Sequence, residues 1–239
     1  AVEREYLKES AKKSLVIEES EKLYKTLFDS ISHELKTPIT TILGAVTSLK
    51  DEKILENKTI LKKLIDETTI AAERLNRLVE NLLDITRIES GNIILKKDWH
   101  SIEDLLYMLI NKILNENPGH EIFVDINEDS DIFRFDYTLL EQALLNILRN
   151  EVEYTFVGSK IEIAVRKTFE GLMITISDNG KGFPKEEIKN LFKKFYRVPG
   201  TKTGGTGLGL SIAKGFVEAH GGTINVRNKK NGGAEFIIL

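Results

Sequence analysis

Apolar residues at seven-residue spacing in the first ninety residues constrain the possible folds of this chain more than any other feature. A first arm carries two such rows, one of Phe28, Leu35, Ile42 and Leu49 and a companion row of Ile17, Tyr24, Ile31 and Ala45. A second arm repeats the arrangement with Leu61, Leu75 and Leu82 beside Leu64, Ala71, Leu78 and Ile85. A period near 3.5 residues places such side chains on one face of a helix. Because the charged segment 50–58 is predicted to be a turn and Gly91 a C-cap, the pattern predicts a helical hairpin.

Two helices with wide apolar stripes leave much of their apolar surface uncovered. Pairing two hairpins covers it in a four-helix bundle, so the sequence predicts a homodimer. The alternative is that the hairpin packs against the C-terminal half of its own chain.

From residue 92 the apolar pattern changes, and helices alternate with strands. The predicted elements, in chain order, are a strand within 91–99, a helix from a capping box at 101–104 to 116, strands at 121–126 and 131–135, a helix at 137–154, a hairpin turning near Glu170–Gly171, a short helix, a helix ending at His220 and two final strands. This mixture favours a two-layer α+β sandwich. We therefore predict two domains, 1–91 and 92–239.

Composition excludes several functional classes. The 239 residues include no cysteine, so disulfides and thiolate metal sites are excluded. The formal net charge of −3 does not indicate nucleic-acid binding. No apolar run approaches the roughly 20 residues that span a bilayer. Without a starting methionine or a signal peptide, the chain is expected to be a soluble fragment of a longer protein.

The stretch "SISHELKTPIT", residues 30–40, places a histidine and a proline in the first helix. With Phe28 at heptad position a, His33 falls at position f and faces away from the apolar stripe. Pro38 removes the N–H that would bond the carbonyl of Glu34, so we expect the helix to loosen or kink there. An exposed imidazole offers a neutral nucleophile near neutral pH. The alternative is an ordinary solvated surface histidine.

"SHELKTPIT" resembles the H-box of sensor histidine kinases, in their dimerisation and phosphotransfer (HisKA) domain. The resemblance implies that His33 is phosphorylated and that Glu34 hydrogen-bonds its ring. It further implies that Thr37 positions a water for dephosphorylating the receiver domain of a response regulator.

"SDNGKGF", residues 177–183, matches the G1 box of the same family. A carboxylate at the end of a strand, held by a glycine-rich turn, can accept the adenine amino group. Asp178 takes this role, and Gly180 and Gly182 permit close backbone approach. On its own the string is weak, because such turns also close hairpins.

"GGTGLGLSIAK", residues 204–214, matches the G2 box, in which glycines lead into a helix whose N-terminus favours phosphate. A Rossmann turn is disfavoured because a loop rather than a strand precedes it, and a P-loop lacks its GK[ST]. Segment 198–205 is predicted to be a lid over the nucleotide. The phosphate-binding residues implied by the resemblance are Gly205, Gly207, Leu208 and Gly209.

"NILRNEVEYT", residues 146–155, stands at the N-box, and "LFKKFYR", residues 191–197, resembles the F-box. Asn146, Asn150 and Tyr154 lie four apart on one helical face. The resemblance implies that Asn150 ligates Mg²⁺ through its amide oxygen, with Asn146 in the same polar site and Tyr154 near the base and phosphates. Arg197 could reach the γ-phosphate, whereas Phe192 and Phe195 are expected to pack.

Four boxes in the family's order imply a Bergerat-type (GHKL, HATPase) ATP-binding domain that uses ATP and Mg²⁺. They also imply a homodimer, a response-regulator partner, and a cytoplasmic fragment of a membrane-anchored bacterial sensor whose sensor and membrane region are absent here. The charged segment near residues 3–20 is expected to be a signal-carrying helix. "LLDITRIESGNIILKKDW" and "GTGLGLSIAKGFVEAHGGTI" are further similar to potassium-sensing KdpD-like kinases.

Two acidic residues depart from the N-box pattern. Glu151 stands where the family has a small residue, and Glu153 where it often has Lys or Arg. Either Glu153 turns outward to solvent, which we favour, or phosphate binding is weakened. These two residues motivate an alternative to a kinase, a catalytically silent dimeric scaffold that binds nucleotide and regulator. A further alternative is an ATPase that shares this nucleotide fold, such as the Hsp90 or gyrase group.

Overall fold

A computed structural model of the chain describes residue 28 and residues 31–127, 131–200 and 205–239. The predicted signal helix, the stripe positions Ile17 and Tyr24, and part of the predicted lid lie outside the described residues. The chain forms two compact units: one contains Ala1–Glu80 with Thr203–Thr206, and the other contains Asn81–Lys202 and Gly207–Leu239.

The helical hairpin has two long arms, helix α1 through residues 31–48 and helix α3 at Lys58–Glu89. The segment predicted as a plain turn contains a short helix, α2, at Glu52–Glu56. This helix forms because the Asp51 side chain accepts a hydrogen bond from Lys53 N at 3.0 Å and caps its first turn. Gly91 follows the end of α3 with φ 66°, as the sequence predicted for a C-cap.

The predicted apolar stripe largely coincides with the covered faces of α1 and α3. Ala45, Ala71 and Leu78 are buried, and Ile85 joins the core of the second unit. Most other stripe positions are half-buried: Ile31, Leu35, Ile42, Leu49, Leu61, Leu64, Leu75 and Leu82. Phe28 departs from the prediction because its side chain is exposed.

Helix α1 remains helical through Pro38, and the Pro38 side chain is buried on the stripe. Threonine hydroxyls follow the proline and donate to carbonyls one turn back, from Thr40 to Lys36 at 2.7 Å and from Thr41 to Thr37 at 3.2 Å. The carbonyl that Pro38 leaves without its helical N–H donor is that of Glu34, so these hydroxyl bonds to other carbonyls do not replace the missing backbone bond. The sequence motif therefore sits on a continuous helical segment.

The second unit is the predicted two-layer α+β sandwich. Its elements are β1 Asp98–Ser101, α4 Ile102–Glu116, β2 Glu121–Ile126, β3 Ile132–Phe135, α5 Tyr137–Tyr154, β4 Lys160–Thr168, β5 Gly171–Asp178, a 3₁₀ turn Ile188–Asn190, α6 Gly209–Ala219, β6 Ile224–Asn228 and β7 Ala234–Ile238. The strand predicted within 91–99 is regular only from Asp98 onward.

The main sheet has the strand order β2-β4-β5-β7-β6, in which only the β2–β4 pair is parallel. Strands β1 and β3 form a separate antiparallel pair. Helix α5 contacts both α4 and α6, and the buried faces of these helices and the sheet form one apolar core. In this strand order β7 lies inside the sheet, between β5 and β6.

The start of α5 is tied to the end of α6. Asp136 caps α5 by accepting from Leu139 N at 3.1 Å, and its own N–H donates to Nε2 of His220 at 3.0 Å. The other ring nitrogen of His220 lies 2.7 Å from the carbonyl oxygen of Phe216. These contacts fix α5 and α6 relative to each other.

None of the helices among the described residues has the length and apolar character that a membrane span needs.

Candidate functional site

His33 is exposed on α1, on the side predicted from the heptad position. Lys36 and Thr37 are exposed beside it, and the Thr37 hydroxyl donates to the carbonyl of His33 at 3.2 Å. An accessible imidazole on a regular helix can meet reactants that approach from solvent. The helical unit therefore presents a candidate nucleophile.

Glu34 has a partner that the sequence pattern did not identify. Its Oε2 accepts a hydrogen bond from Arg74 Nη2 of α3 at 2.6 Å, and both side chains are partly buried. The carboxylate next to His33 is thus bound across the hairpin to the opposite arm. Only the pairing of the two arms brings Arg74 to this position, so no local motif could have indicated it.

Asp178 ends strand β5, and its carboxylate is held in place by two backbone donors. Oδ1 accepts from Gly180 N at 2.5 Å and Oδ2 from Ala234 N at 2.6 Å. The side chain is only 4% exposed. Because an ionised carboxylate accepts about four hydrogen bonds, this one keeps acceptor capacity for a ligand.

The turn after Asp178 requires both predicted glycines. Gly182 has φ 68°, and a Cβ there would lie 2.6 Å from Oδ1 of Asn228. That amide oxygen accepts from Phe183 N at 2.9 Å, so it cannot move away without losing a bond. A Cβ on Gly180 would lie 2.7 Å from Oδ1 of Asp178. The glycines thus allow the backbone to fold closely around the carboxylate.

Helix α5 presents the three N-box side chains, all half-buried, toward the loops on either side. Oδ1 of Asn146 would lie 3.3 Å from a Cβ on Gly209, the first residue of α6. The ring of Tyr154 lies 6.2 Å from that of Phe183 in the turn after β5. Nδ2 of Asn150 is buried and has no hydrogen-bond partner among the residues that the structure describes. One face of α5 therefore lies near both glycine-rich loops, with Asn146 close to Gly209 and Tyr154 close to Phe183.

The loop before α6 is tightly packed against the F-box. Gly207 has φ 68°, and a Cβ there would lie 2.7 Å from the backbone carbon of Phe195 and the carbonyl oxygen of Tyr196. Leu208 is fully buried, and α6 starts at Gly209 without a side-chain cap. Its first N–H groups and helix dipole suit an anion. Gly205 is half-buried, in the part of this loop that the structure describes.

Both F-box phenylalanines pack, as predicted. Phe192 meets Phe236 edge-on at 6.4 Å between centroids, and Phe195 packs on the core with a positive φ of 61°. Arg197 is half-buried at the end of this segment. Its approach to a γ-phosphate stays a prediction.

Of the two unusual acidic residues, Glu153 is exposed, as we favoured, but Glu151 is buried and 2% exposed. The Glu151 carboxyl lies near enough to the Asp178 carboxylate for the two groups to interact electrostatically. Burial, followed by the charge of Asp178, raises the pKa of Glu151, while the charge of Lys229 opposes the shift. A simple helical pattern places position 151 next to Asn150 but does not reveal that Glu151 lies near the carboxylate at the end of β5.

Lys229 is a second residue that sequence reasoning missed. Its Nζ donates to the carbonyl of Asp178 at 3.1 Å and to Ser177 Oγ at 3.3 Å. The Lys229 ammonium group therefore lies beside the backbone of Asp178 at the end of β5. It comes from the β6–β7 hairpin, which is remote from this strand in sequence.

The donor set suits a hard cation that completes its coordination with ligand oxygens. Among the residues described, no group of three or more His, Cys, Asp or Glu could hold a metal by itself. Asn150 offers an amide oxygen as a ligand, while its buried amide nitrogen, which has no hydrogen-bond partner among the described residues, could donate to a phosphate oxygen but not bind the cation. Such an amide fits an ion like Mg²⁺ whose remaining ligands are phosphate oxygens and water.

The structure thus brings most of the predicted nucleotide residues together within the second unit. These are Asn146, Asn150, Tyr154, Asp178, Gly180, Gly182, Gly207, Leu208 and Gly209. His33, Glu34 and Thr37 belong to the helical unit. The arrangement has the parts for nucleotide binding on one unit and a nucleophile on the other.

Two family descriptions match the chain. "His Kinase A (phospho-acceptor) domain" matches residues 24–91, and "Histidine kinase-, DNA gyrase B-, and HSP90-like ATPase" matches residues 135–239. The two matches cover the predicted hairpin and most of the α+β unit. Both expected domain types are confirmed.

Curated relatives and solved structures agree with these matches. Sensor protein KdpD of Clostridium acetobutylicum is 35% identical over 99% of this chain, and KdpD of Escherichia coli is 33% identical over 100%. The chain covers 27% and 26% of those proteins. Acinetobacter baumannii histidine kinase AdeS matches with a TM-score of 0.65 and 25% identity, over 86% of this chain and 95% of that one. Histidine kinase ThkA in complex with response regulator protein TrrA matches with a TM-score of 0.63 and 25% identity, over 87% of this chain and 58% of that one. The predicted similarity to KdpD-like kinases is confirmed.

Proposed function

This chain belongs to the sensor histidine kinase family, and from that premise we propose that it transfers the γ-phosphoryl group of ATP to His33 and then to an aspartate of a response regulator. One observation carries the proposal: a single chain combines an exposed histidine on a helical hairpin with a buried carboxylate and glycine-rich loops arranged for a nucleotide. The second unit is of an ATP-binding type.

Asp178 would recognise the base. Its carboxylate is fixed by two backbone N–H groups and keeps acceptor capacity for the 6-amino group of adenine. Gly180 and Gly182 keep the turn free of side-chain atoms, so that the base can approach the backbone. Tyr154, beside Phe183, would cover one side of the base and the adjoining phosphates.

The N-terminus of α6 would hold the phosphates. Backbone N–H groups at Gly207–Gly209 face an anion favourably, with Asn146 alongside and Gly205 in the preceding loop. Bound Mg²⁺, held by Asn150, would supply positive charge to the phosphate oxygens. Arg197 would add charge at the γ-phosphate, and such positioning and neutralisation dominate phosphoryl transfer.

At His33, the ring nitrogen farther from the backbone would use its lone pair to form an N–P bond as the bond from phosphorus to the bridging oxygen of ADP breaks. Glu34, whose carboxylate also accepts a hydrogen bond from Arg74, would stabilise the proton on the other ring nitrogen. The phosphoryl group would pass to the regulator aspartate, and Thr37 would position a water for its later removal.

Pairing of two hairpins would complete the helical unit, with residues 1–91 as the dimerisation and phosphotransfer domain and 92–239 as the catalytic domain. Exposed apolar residues support the pairing: Ile39, Leu43 and Val46 on α1, and Ile65, Val79 and Leu83 on α3. Because the chain spans about a quarter of its KdpD relatives, the sensor and membrane region would lie elsewhere in a longer protein. This part would then work in the cytoplasm.

Incubation with γ-labelled ATP and Mg²⁺ tests the proposal. We expect acid-labile, base-stable label on the protein, none on a His33→Gln variant, and strongly reduced label on Asn150→Ala. Added receiver domain should remove the label from the wild type. Label that persists in His33→Gln would contradict the assignment of the nucleophile.

A catalytically silent scaffold is the second candidate, because a buried acidic residue, Glu151, stands beside the base-binding carboxylate. Nucleotide binding without protein label would favour it. Release of free phosphate without label would instead favour an ATPase of the gyrase and Hsp90 type.

A further inference from the structure

We propose that Asn228 is a positioning residue that makes the nucleotide site selective for a base with a 6-amino group. The inference rests on the proposed nucleotide site, which it deepens. Asn228 ends strand β6. Its effect would pass through the turn after β5, residues 179–183, which carries one of the N–H groups that orient the Asp178 carboxylate.

The side-chain amide of Asn228 makes two hydrogen bonds with the backbone of Phe183. Its Oδ1 accepts from Phe183 N at 2.9 Å, and its Nδ2 donates to the Phe183 carbonyl oxygen at 2.6 Å. A neighbouring strand would make the same pair of bonds, but Phe183 is buried outside the strands. An amide suits this position because it combines an acceptor with a donor. Asn228 therefore provides partners for both backbone groups of this buried residue.

The loop of the β6–β7 hairpin packs directly against the turn after β5. A Cβ on Gly182 would lie 2.6 Å from Oδ1 of Asn228 and 3.1 Å from the carbonyl oxygen of Gly233. The loop is closed by its own bonds, from Lys229 N to the Gly233 carbonyl at 2.9 Å and from Gly232 N to the Lys229 carbonyl at 3.3 Å. The hairpin thus gives the turn a separately closed surface on which to form.

Asn228 and the donors to Asp178 hold opposite ends of one short turn. Oδ1 of Asp178, at the end of β5, accepts from Gly180 N at 2.5 Å, and Asn228 holds Phe183 three residues further on. Ala234 N of the same hairpin bonds the other carboxylate oxygen at 2.6 Å. Without the Asn228 amide the far end of the turn is released, so Gly180 N loses its fixed position and the carboxylate its fixed orientation.

The two parts of a nucleotide would respond differently to this release. A hydrogen bond from the 6-amino group depends on the orientation of the Asp178 carboxylate. The phosphates are proposed to bind at the start of α6, which is a different element. Loss of Asn228 should therefore weaken recognition of the amino group more than binding of the triphosphate.

Calorimetric Kd values of the complete chain with Mg²⁺ test this selectivity. One ligand is ATP, and the other is the triphosphate of purine riboside, which lacks only the 6-amino group. In Asn228→Ala we expect ATP to bind about tenfold more weakly, the range of a weakened hydrogen bond to a charged group, and the analogue to change less than about threefold. In Asn228→Asp, which keeps the size of the side chain but has no donor for the Phe183 carbonyl, ATP should weaken at least as much.

Asn225→Ala is the matched control, because Asn225 is exposed on the same strand; neither ligand should change. Near-wild-type ATP binding by Asn228→Asp would overturn the inference, since the side chain would then only fill space. Equal weakening of both ligands in the Asn228 variants would overturn it too, because a general loss of fold does not depend on the amino group.

Amide hydrogen exchange without nucleotide tests the coupling separately from the proposed function. In Asn228→Ala, the amides of Phe183 and Gly180 should exchange at least about tenfold faster, while those of β4 keep their wild-type rates. An unchanged Gly180 rate would overturn the inference even if ATP binding weakened. A wild type that binds neither ligand, or both equally, would overturn the proposed base site and the inference with it, although the exchange result would stand.

Discussion

Three glutamates of the sequence motifs face different surroundings, and their environments decide what each can do. Glu34 pairs with Arg74 across the hairpin, Glu151 is buried against Asp178, and Glu153 faces solvent. A buried carboxyl group interacts strongly with neighbouring charged groups, whereas water screens the interactions of a solvated one. The same residue type therefore makes three different contributions.

The Glu34–Arg74 pair should stabilise the hairpin. Arg74→Ala leaves a partly buried carboxylate unpaired, so we expect a loss of about 1–3 kcal/mol in the free energy of unfolding. Urea unfolding of Arg74→Ala, Glu34→Gln and the double variant gives the coupling energy, expected to be about 1 kcal/mol. Additive single effects would show that the two side chains act independently.

Glu151 should make folding stability depend on pH. Its pKa is raised in the folded chain, so the folded state keeps a proton that the unfolded chain releases above the ordinary glutamate pKa. The stability contribution is thus complete below that ordinary pKa and is lost as pH rises through the raised value. The charged groups that face Glu151 are Asp178, which adds to the shift, and Lys229, which opposes it.

Calorimetric Tm values from about pH 5 to about pH 9, a range that covers known buried glutamates, check this. The Tm of the wild type should fall more steeply with rising pH than that of Glu151→Gln. Parallel curves for the two proteins would mean that Glu151 does not titrate in this range.

Sequence reasoning correctly placed the residues whose surroundings depend on local pattern. The exposure of His33 followed from its heptad position, and the carboxylate at Asp178 from its place at a strand end before glycines. Arg74, Lys229 and the burial of Glu151 depend on contacts between segments distant in sequence, and these leave no mark in local spacing. Partners across the fold had to come from the structure.

Among the elements, the loop that leads into α6 depends most on glycine. Gly207 combines a positive φ with direct backbone contact to the F-box, so a side chain there has no free space. Gly200 also has a positive φ of 79°, but no atom of the described residues lies within 4 Å of the position that a Cβ would take there. A side chain at Gly200 would therefore meet backbone strain alone, whereas one at Gly207 would meet backbone strain and a steric clash.

We expect Gly207→Ala to weaken ATP binding at least about tenfold, because the loop must move away from Phe195 and Tyr196. Gly200→Ala should cost only about 1 kcal/mol in stability, from its left-handed backbone. Calorimetric titration and thermal unfolding of both variants measure these effects. Equal ATP affinity in the two variants would rule out the steric argument.

Element prediction succeeded where a segment had its own start and stop signals. Ser101 caps α4 by accepting from Asp104 N at 3.0 Å, and Asp136 caps α5. It was less accurate where a segment lacked a clear period: the charged 50–58 turn contains α2, and alternation in 91–99 gave regular strand only from Asp98. Short elements like these depend on neighbours more than on their own residues.

At the scale of the whole molecule, the exposed apolar residues of the hairpin predict a dimer that a single charge can disrupt. Ile65 is 52% exposed and belongs to the α3 row with Val79 and Leu83. Ile70 is 62% exposed but lies five residues further on, about 140° around the helix. The two isoleucines therefore form a matched pair.

We expect Ile65→Glu to weaken dimerisation at least about tenfold, because a buried contact would acquire a charge, while Ile70→Glu leaves it unchanged. Light scattering during size-exclusion chromatography over a range of concentrations measures the dimer Kd. A wild type that stays monomeric at every concentration would contradict the proposed bundle.

The position of β7 within the sheet has a consequence for the protein during its synthesis on the ribosome. Ala234 N holds the carboxylate at the far end of β5, and β7 also separates β5 from β6. A nascent polypeptide that has emerged only as far as the glycine-rich loops lacks this donor, so the proposed adenine-recognition pocket would still be incomplete. If the proposed site binds ATP, strand β7 would have to be translated before the chain could bind nucleotide, so unfinished chains would not compete for cellular ATP.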